Sequence, residues 1–180
     1  MNKKKLIQAA IAIVLAFGIA VIVNQIVLKL FGQKSADRAE HSLVGIVFLM
    51  VYGYIFQDKE KFHDGLVIFF LIALIPCYLG TVFPDLDIKF LGIGGHRNPL
   101  FHSCLSYFIL FFIVSGKSSF FRILTIGYGV GLASHFWWDI IYYGDVRWIP
   151  GETLDRAWLF INGLLSFIPP KTETMSVGNA

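Results

Sequence analysis

Long apolar runs broken by short polar links organise this chain. The first run covers residues 6–30, behind the basic start Asn2 to Lys5. Further runs cover 42–56, 65–83, 104–114 and 120–141, and a shorter one covers 157–168. About 20 apolar residues at ~1.5 Å each are enough to cross a hydrocarbon core of roughly 30 Å. The pattern predicts an all-α membrane protein, a polytopic helical bundle of about five to six transmembrane helices. Segment 157–168 is short for a crossing and reads as a tilted sixth span or an interfacial helix.

Three parts follow from this pattern. Residues 1–31 are expected to form an N-terminal transmembrane anchor helix, 41–168 a membrane-embedded bundle, and 169–180 a flexible tail behind Pro169-Pro170. Gly18-Ile19-Ala20 passes for a signal-cleavage site, but Val21-Ile22-Val23 continues the apolar run, so an uncleaved anchor is expected. Asn24 and Gln25 are candidate interhelical hydrogen-bonding groups, and Gly45 and Gly53 permit close helix approach. Pro76 predicts a kink within the third run. Gly127, Gly129, Gly131 and Ala133 predict a thin face for tight packing.

Composition agrees with this pattern. Hydrophobic residues make up 56% of the 180 positions and charged ones 15%, well off a soluble composition. The net charge of +3 is small and its basic residues are dispersed. The expected partner is therefore the lipid bilayer and not nucleic acid. Cys77 and Cys104 both lie in apolar runs, where they are expected to pack as small hydrophobes.

The exception to the apolar pattern is the stretch 84–103, PDLDIKFLGIGGHRNPLFHS. Ionisable groups between membrane-grade runs are costly and usually functional. If Lys3 to Lys5 are cytoplasmic, the short turns carrying Lys59, Lys61, Lys117 and Arg122 share that side of an inner (cytoplasmic) membrane. The same alternation brings His41, the polar stretch, and the helix end bearing His135 and Asp139 together on the opposite face. His63 falls on the cytoplasmic side and reads as a solvated histidine.

Each element of this constellation has more than one reading. Asp85 and Asp87 follow a helix-ending proline; an i, i+2 pair on a turn aims both carboxylates at one cation, or merely caps a turn. His96 and His102 are ligands or interfacial anchors. His135 and Asp139, four apart, share one helix face. They suit two ligands to one metal, an aspartate orienting a histidine, or a helix-end hydrogen bond. Taken together, imidazole and carboxylate groups are a ligand set for Zn²⁺, Mn²⁺ or Fe, numerous enough for two ions. Arg97 suits an anionic phosphoryl or carboxylate group.

The order His41, Pro84-Asp85-Leu86-Asp87, Gly95-His96-Arg97, His102-Ser103, Ser134-His135 with Asp139, and Trp148-x-Pro150 resembles the YdjM-like inner-membrane proteins, a family described as metal-dependent hydrolases. The likeness runs from about His41 to Pro150. It departs at Asn98-Pro99, which replaces a glycine region, and at Phe101, where the family carries threonine. The resemblance implies an integral membrane hydrolase using one or two divalent ions, Zn or Mn. His41, Asp85, Asp87, His102, His135 and Asp139 would hold the metal. His96 would be a ligand or general acid, and Arg97 would neutralise developing negative charge. Ser103 and Ser134 would support neighbouring ligands. A site at the membrane edge implies a lipid-linked or amphiphilic substrate, with a phosphoester favoured. A non-enzymatic reading stands beside this one: the same groups would bind or transport a divalent ion, or form a polar network that locks the helices.

Overall fold

The computed structural model describes residues 3–31, 36–56, 62–114, 118–142 and 148–168. Among the described residues every regular element is a helix. These are α1 (Lys3–Phe31), α2 (Ala36–Phe56), α3 (Phe62–Val82), α4 (Leu86–Leu91), α5 (Leu105–Val114), α6 (Ser119–Tyr142) and α7 (Glu152–Phe167). One 3-10 turn, Ile93–Gly95, lies between α4 and α5. Two helices begin earlier than the apolar pattern predicts, α2 at Ala36 and α7 at Glu152. In α7 the added turn carries Glu152 and Asp155. Acidic residues there suit the positive end of the helix dipole but are invisible to a hydropathy pattern. The tail 169–180 and the turns with Lys59, Lys61 and Lys117 lie outside the described residues.

Helix α6 is central, packing against α3, α7, α2 and α5, while α1 lies along α2. Small residues explain this position. A Cβ added to Gly127 would collide with the carbonyl of Ala73, and one on Gly131 with that of Cys77, both on α3. From the other side, a Cβ on Gly80 would strike the carbonyl of Tyr128. Gly129 faces a different way, against the Tyr107 ring and the Ser166 carbonyl of α7. The expected single thin face is thus two faces, because residues two apart on a helix point in different directions. Gly45 meets Thr81, Cys77 and Ser134 where α2 joins this seam.

The core between the helices is aromatic. Phe48 packs edge-on against Phe17 of α1, and Trp137 and Phe167 complete the cluster from α6 and α7. Ala12, Ala16 and Ala20, each within 1% of full burial, turn one stripe of α1 into the same core. Both cysteines are free and buried.

The expected number of membrane crossings is not supported as such. Among the described residues only Gly65–Val82, within α3, is long and apolar enough to cross a membrane, a criterion that buried core helices also meet. Ala10–Ile26, Glu40–Phe56 and Leu105–Val114 are apolar but shorter. Polar and ionisable residues, Thr125, His135 and Asp139 among them, interrupt α6. Helix α7 is 16 residues long, about 24 Å at the usual rise, with one buried and one exposed side.

Candidate metal centre

Three separate segments deliver the site. His41 sits in the first turns of α2, His135 and Asp139 lie one turn apart near the end of α6, and the connection from α3 to α5 supplies the rest. That connection folds tightly. Asp85 precedes α4, Asp87 lies in its first turn, and Gly92 at φ 73° provides the left-handed residue that ends it. Arg97 is the one non-glycine residue with positive φ among those described, at 64°. Such strain in a non-glycine residue clusters at functional sites. Asn98 then closes the turn: its side-chain oxygen accepts from Leu100 N at 2.9 Å, and its carbonyl accepts from His102 N at 2.9 Å. The stretch in which the sequence departs from the family pattern is therefore the turn that sets His102.

Three imidazoles converge on one carboxylate. The Nε2 atoms of His135, His102 and His41 lie 3.4, 3.6 and 3.7 Å from the Asp139 oxygens. His135 Nε2 is also 3.9 Å from Asp85 Oδ1. The His41 and His135 rings stack with centroids 4.1 Å apart. His41, His135 and Asp139 form one buried group whose ligand atoms lie within 4.8 Å of one another, and Asp85, His96 and His102 form a second, more open group. All seven of the proposed histidine and aspartate positions come together. His63 is the second residue of α3; its side chain is outside the described residues.

The tautomers follow from the partners behind the rings. His135 donates from Nδ1 to the Thr81 carbonyl at 2.8 Å, which leaves the Nε2 lone pair facing Asp139. His96 donates from Nδ1 to Asp87 Oδ1 at 3.0 Å. Asp87 Oδ2 accepts from Asn98 N at 3.0 Å and faces His102 Nδ1 at 3.4 Å. Asp85 and Asp87 thus do not aim at one point, as a pair on a turn would; they diverge because positions two apart in a helical turn face apart. Asp87 stands behind His96 and His102, in the place an orienting carboxylate takes around a metal-bound histidine. Burial pushes the Asp87 carboxyl up, but the contacts from His102, His96 and Asn98 N–H outweigh it and hold it at about 2. Burial likewise disfavours charge on His102, yet the Asp139 and Asp87 carboxylates outweigh it and raise its pKa.

The residues fit a divalent ion by a test of their own. His102 and His135 are completely buried, yet both nitrogens of His102 and Nε2 of His135 lack a hydrogen-bond partner among the described residues. Orphaned buried nitrogens are expensive unless something else satisfies them. A tetrahedral ion with arms of about 2.0–2.1 Å needs ligand atoms roughly 3.3–3.4 Å apart. The observed 3.4–3.7 Å separations at Asp139 lie within a few tenths of that.

The two serines are bound elsewhere. Ser134 Oγ donates to the Gly131 carbonyl at 2.8 Å, and Ser103 Oγ donates to that of Leu100 at 2.8 Å. Three further residues, Thr81, Trp158 and Asn162, bear on the site without having stood out in the sequence, beside Asn98, already marked by its departure from the resembled pattern. Thr81 supplies the carbonyl for His135. Asn98 shapes the loop. Trp158 of α7 donates its indole N–H to the His102 carbonyl at 2.7 Å, and Asn162 accepts from Cys104 N at 2.9 Å. The strong polarity of one α7 face was a visible signal for the last two; Thr81 acts through its backbone, which no residue identity announces.

Beside the two groups opens a cleft of about 320 Å³. His41 and Asp85, one residue from each group, line it together with Leu86, Ile88 and Lys89.

Fold and site together define an all-helical protein with a buried histidine–aspartate cluster of metal-ligand type. Over residues 10–170 the chain matches the model of a family described as "Domain of unknown function (DUF5942)", and it belongs to that family. No curated protein and no solved structure matches it.

Proposed function

We propose that this protein is an integral membrane metal-dependent hydrolase. One observation carries the reading: three Nε2 atoms from three segments lie 3.4–3.7 Å from a single buried carboxylate, Asp139. A structural polar network would satisfy its buried nitrogens, whereas both nitrogens of His102 and Nε2 of His135 have no hydrogen-bond partner among the described residues. His41, His135 and Asp139 would hold one ion; Asp85, His96 and His102 would hold a second. A divalent ion such as Zn²⁺ or Mn²⁺ supplies Lewis-acid activation of water at neutral pH.

The chain's own residues do the remaining work. Asp87 and the Thr81 carbonyl fix the tautomers of His96 and His135, so each ring presents Nε2. Half-buried His96 would use that atom either as a ligand to the second ion or to give or take a proton, since one role excludes the other. Arg97, held in its strained turn, is the candidate partner for an anionic oxygen. The membrane reading rests on α3 and on the apolar exterior, where Val14, Leu71, Ile75 and Phe112 are 66–80% exposed. Exposed apolar area on that scale needs a lipid or protein partner. A polytopic bundle in the inner membrane, with the site at one membrane edge, accounts for both and points to a lipid-linked or amphiphilic substrate.

The test is metal content. Gently purified protein should carry close to one or two transition-metal ions per chain by plasma mass spectrometry. Asp139→Asn, nearly isosteric, should carry far less while unfolding at a similar temperature. Wild-type protein that is folded, metal-free and unable to take up Zn²⁺ or Mn²⁺ on dialysis would sink the reading.

A further inference from the structure

The cleft beside the cluster has a composition that the metal groups alone do not explain. Its lining includes one member of each group, His41 and Asp85. Lys89 stands on its wall, four residues after Asp85 and one turn further along. The Lys89 side chain is exposed and has no carboxylate partner among the described residues. Val82, Leu86 and Ile88 give the lining an apolar part, beside the hydroxyl-bearing Ser42 and Thr81.

Around the same connection, Phe90, Leu91, Ile93 and Leu100 are 50–73% exposed. These four apolar side chains lie within the short segment that also carries Lys89, with no core to join. That combination is an apolar body beside a cationic tip, the arrangement of groups that sit at a lipid–water boundary. The cleft volume is at the small end of ligand sites, which run from about 300 to 1,000 Å³. It suits a headgroup and the start of one chain, with the rest of the chain left among the exposed apolar residues.

Charge selects the headgroup. With even one divalent ion in place, the ion and Lys89 together outweigh Asp85, the one carboxylate among the lining residues. A net positive cleft with a partly apolar lining favours a compact anion on an apolar tail. We infer that the cleft binds the phosphate headgroup of a membrane-resident, single-chain amphiphile, and that Lys89 is the residue that recognises it. This rests on the metal-site reading for part of its positive charge, and it adds a ligand class and a specificity residue to it.

The test uses full-length protein in zwitterionic-lipid nanodiscs loaded with Zn²⁺, with dodecyl phosphate as the probe and binding followed by calorimetry. Wild type should bind it, Lys89→Gln should bind roughly tenfold or more weakly, and Lys89→Arg should stay near wild type, since a charge-assisted hydrogen bond is at stake. Inorganic phosphate should bind much more weakly than dodecyl phosphate; equal affinity would show a free-phosphate site and overturn the amphiphile assignment. Dodecyl phosphate binding unchanged in Lys89→Gln would overturn the role of Lys89. Metal content measured on the same samples separates the two readings. Metal-loaded protein indifferent to Lys89 loses this inference alone, and metal-free protein with Lys89-dependent binding loses only the metal centre.

Discussion

Gly131→Ala probes the link between helix packing and the site. A Cβ there would collide with the Cys77 carbonyl and come within 3.0 Å of Thr81 N, both on α3. Backbone cannot swing aside as a flexible side chain does, so α3 and α6 must separate by roughly an ångström in an interior packed to crystal density. His135 lies one turn along α6 from Gly131, and its 2.8 Å hydrogen bond to the Thr81 carbonyl spans this same seam. Alanine favours a helix over glycine by ~1 kcal/mol. Overpacking costs about 1–3 kcal/mol, and leaving the His135–Thr81 pair unmade costs about 1–3 kcal/mol more. The net expectation is destabilisation by about 1–5 kcal/mol with weakened metal retention. Gly18→Ala in α1 is the control, because nothing lies within 4 Å of its added Cβ. It should be neutral or gain up to ~1 kcal/mol. Reversible denaturation in mild detergent gives stability, and plasma mass spectrometry gives metal. The reasoning is refuted if Gly131→Ala gains stability as Gly18→Ala does and keeps its full metal content.

Two more substitutions test the partners behind the ligands. Trp158→Phe keeps the ring but removes the N–H that meets the His102 carbonyl at 2.7 Å. It should cost about 1 kcal/mol in stability, at the low end because Trp158 is partly exposed, and roughly tenfold in Zn²⁺ affinity by chelator competition. Unaltered affinity would mean that α7 does not position His102. Asp87→Asn keeps the shape but removes the carboxylate that accepts from His96 and faces His102. Zn²⁺ affinity should fall about 10- to 100-fold, and an affinity equal to wild type would dismiss the orienting role.

What the sequence shows of this molecule follows from the kind of signal each feature leaves. Apolar runs are long and continuous, so four of the seven described helices can be placed from them to within a few residues. Glu152 and Asp155 extend α7 through the helix dipole, and a polar turn of that sort leaves no hydropathy trace. The number of crossings does not follow from the runs, because an apolar run does not distinguish a lipid-facing helix from one facing other helices. Ala12, Ala16 and Ala20 show the point, being as apolar as their neighbours yet buried against α2. The site positions were visible because ionisable residues are conspicuous in such a chain. Their roles were not: Asp85 and Asp87 look alike in sequence, and only the direction of each carboxylate separates a ligand candidate from a support.

On the proposed reading, burial also divides the labour between the two groups. His41, His135 and Asp139 are all buried, and the Thr81 carbonyl fixes one ring from behind. An ion there would be screened from water and held by residues that the α3–α6 seam makes rigid. Asp85 and His96 are only partly buried, and they belong to the short connection between α3 and α5 instead of to a long helix. An ion at this second group would exchange more readily. The more open group is therefore the better candidate for meeting the substrate, and the closed one for setting the electrostatic field in which it is met. Asp139 joins them, because its two oxygens face His41 in the first group and His102 in the second. A single carboxylate between two sites couples their charges, so filling one would alter the affinity of the other.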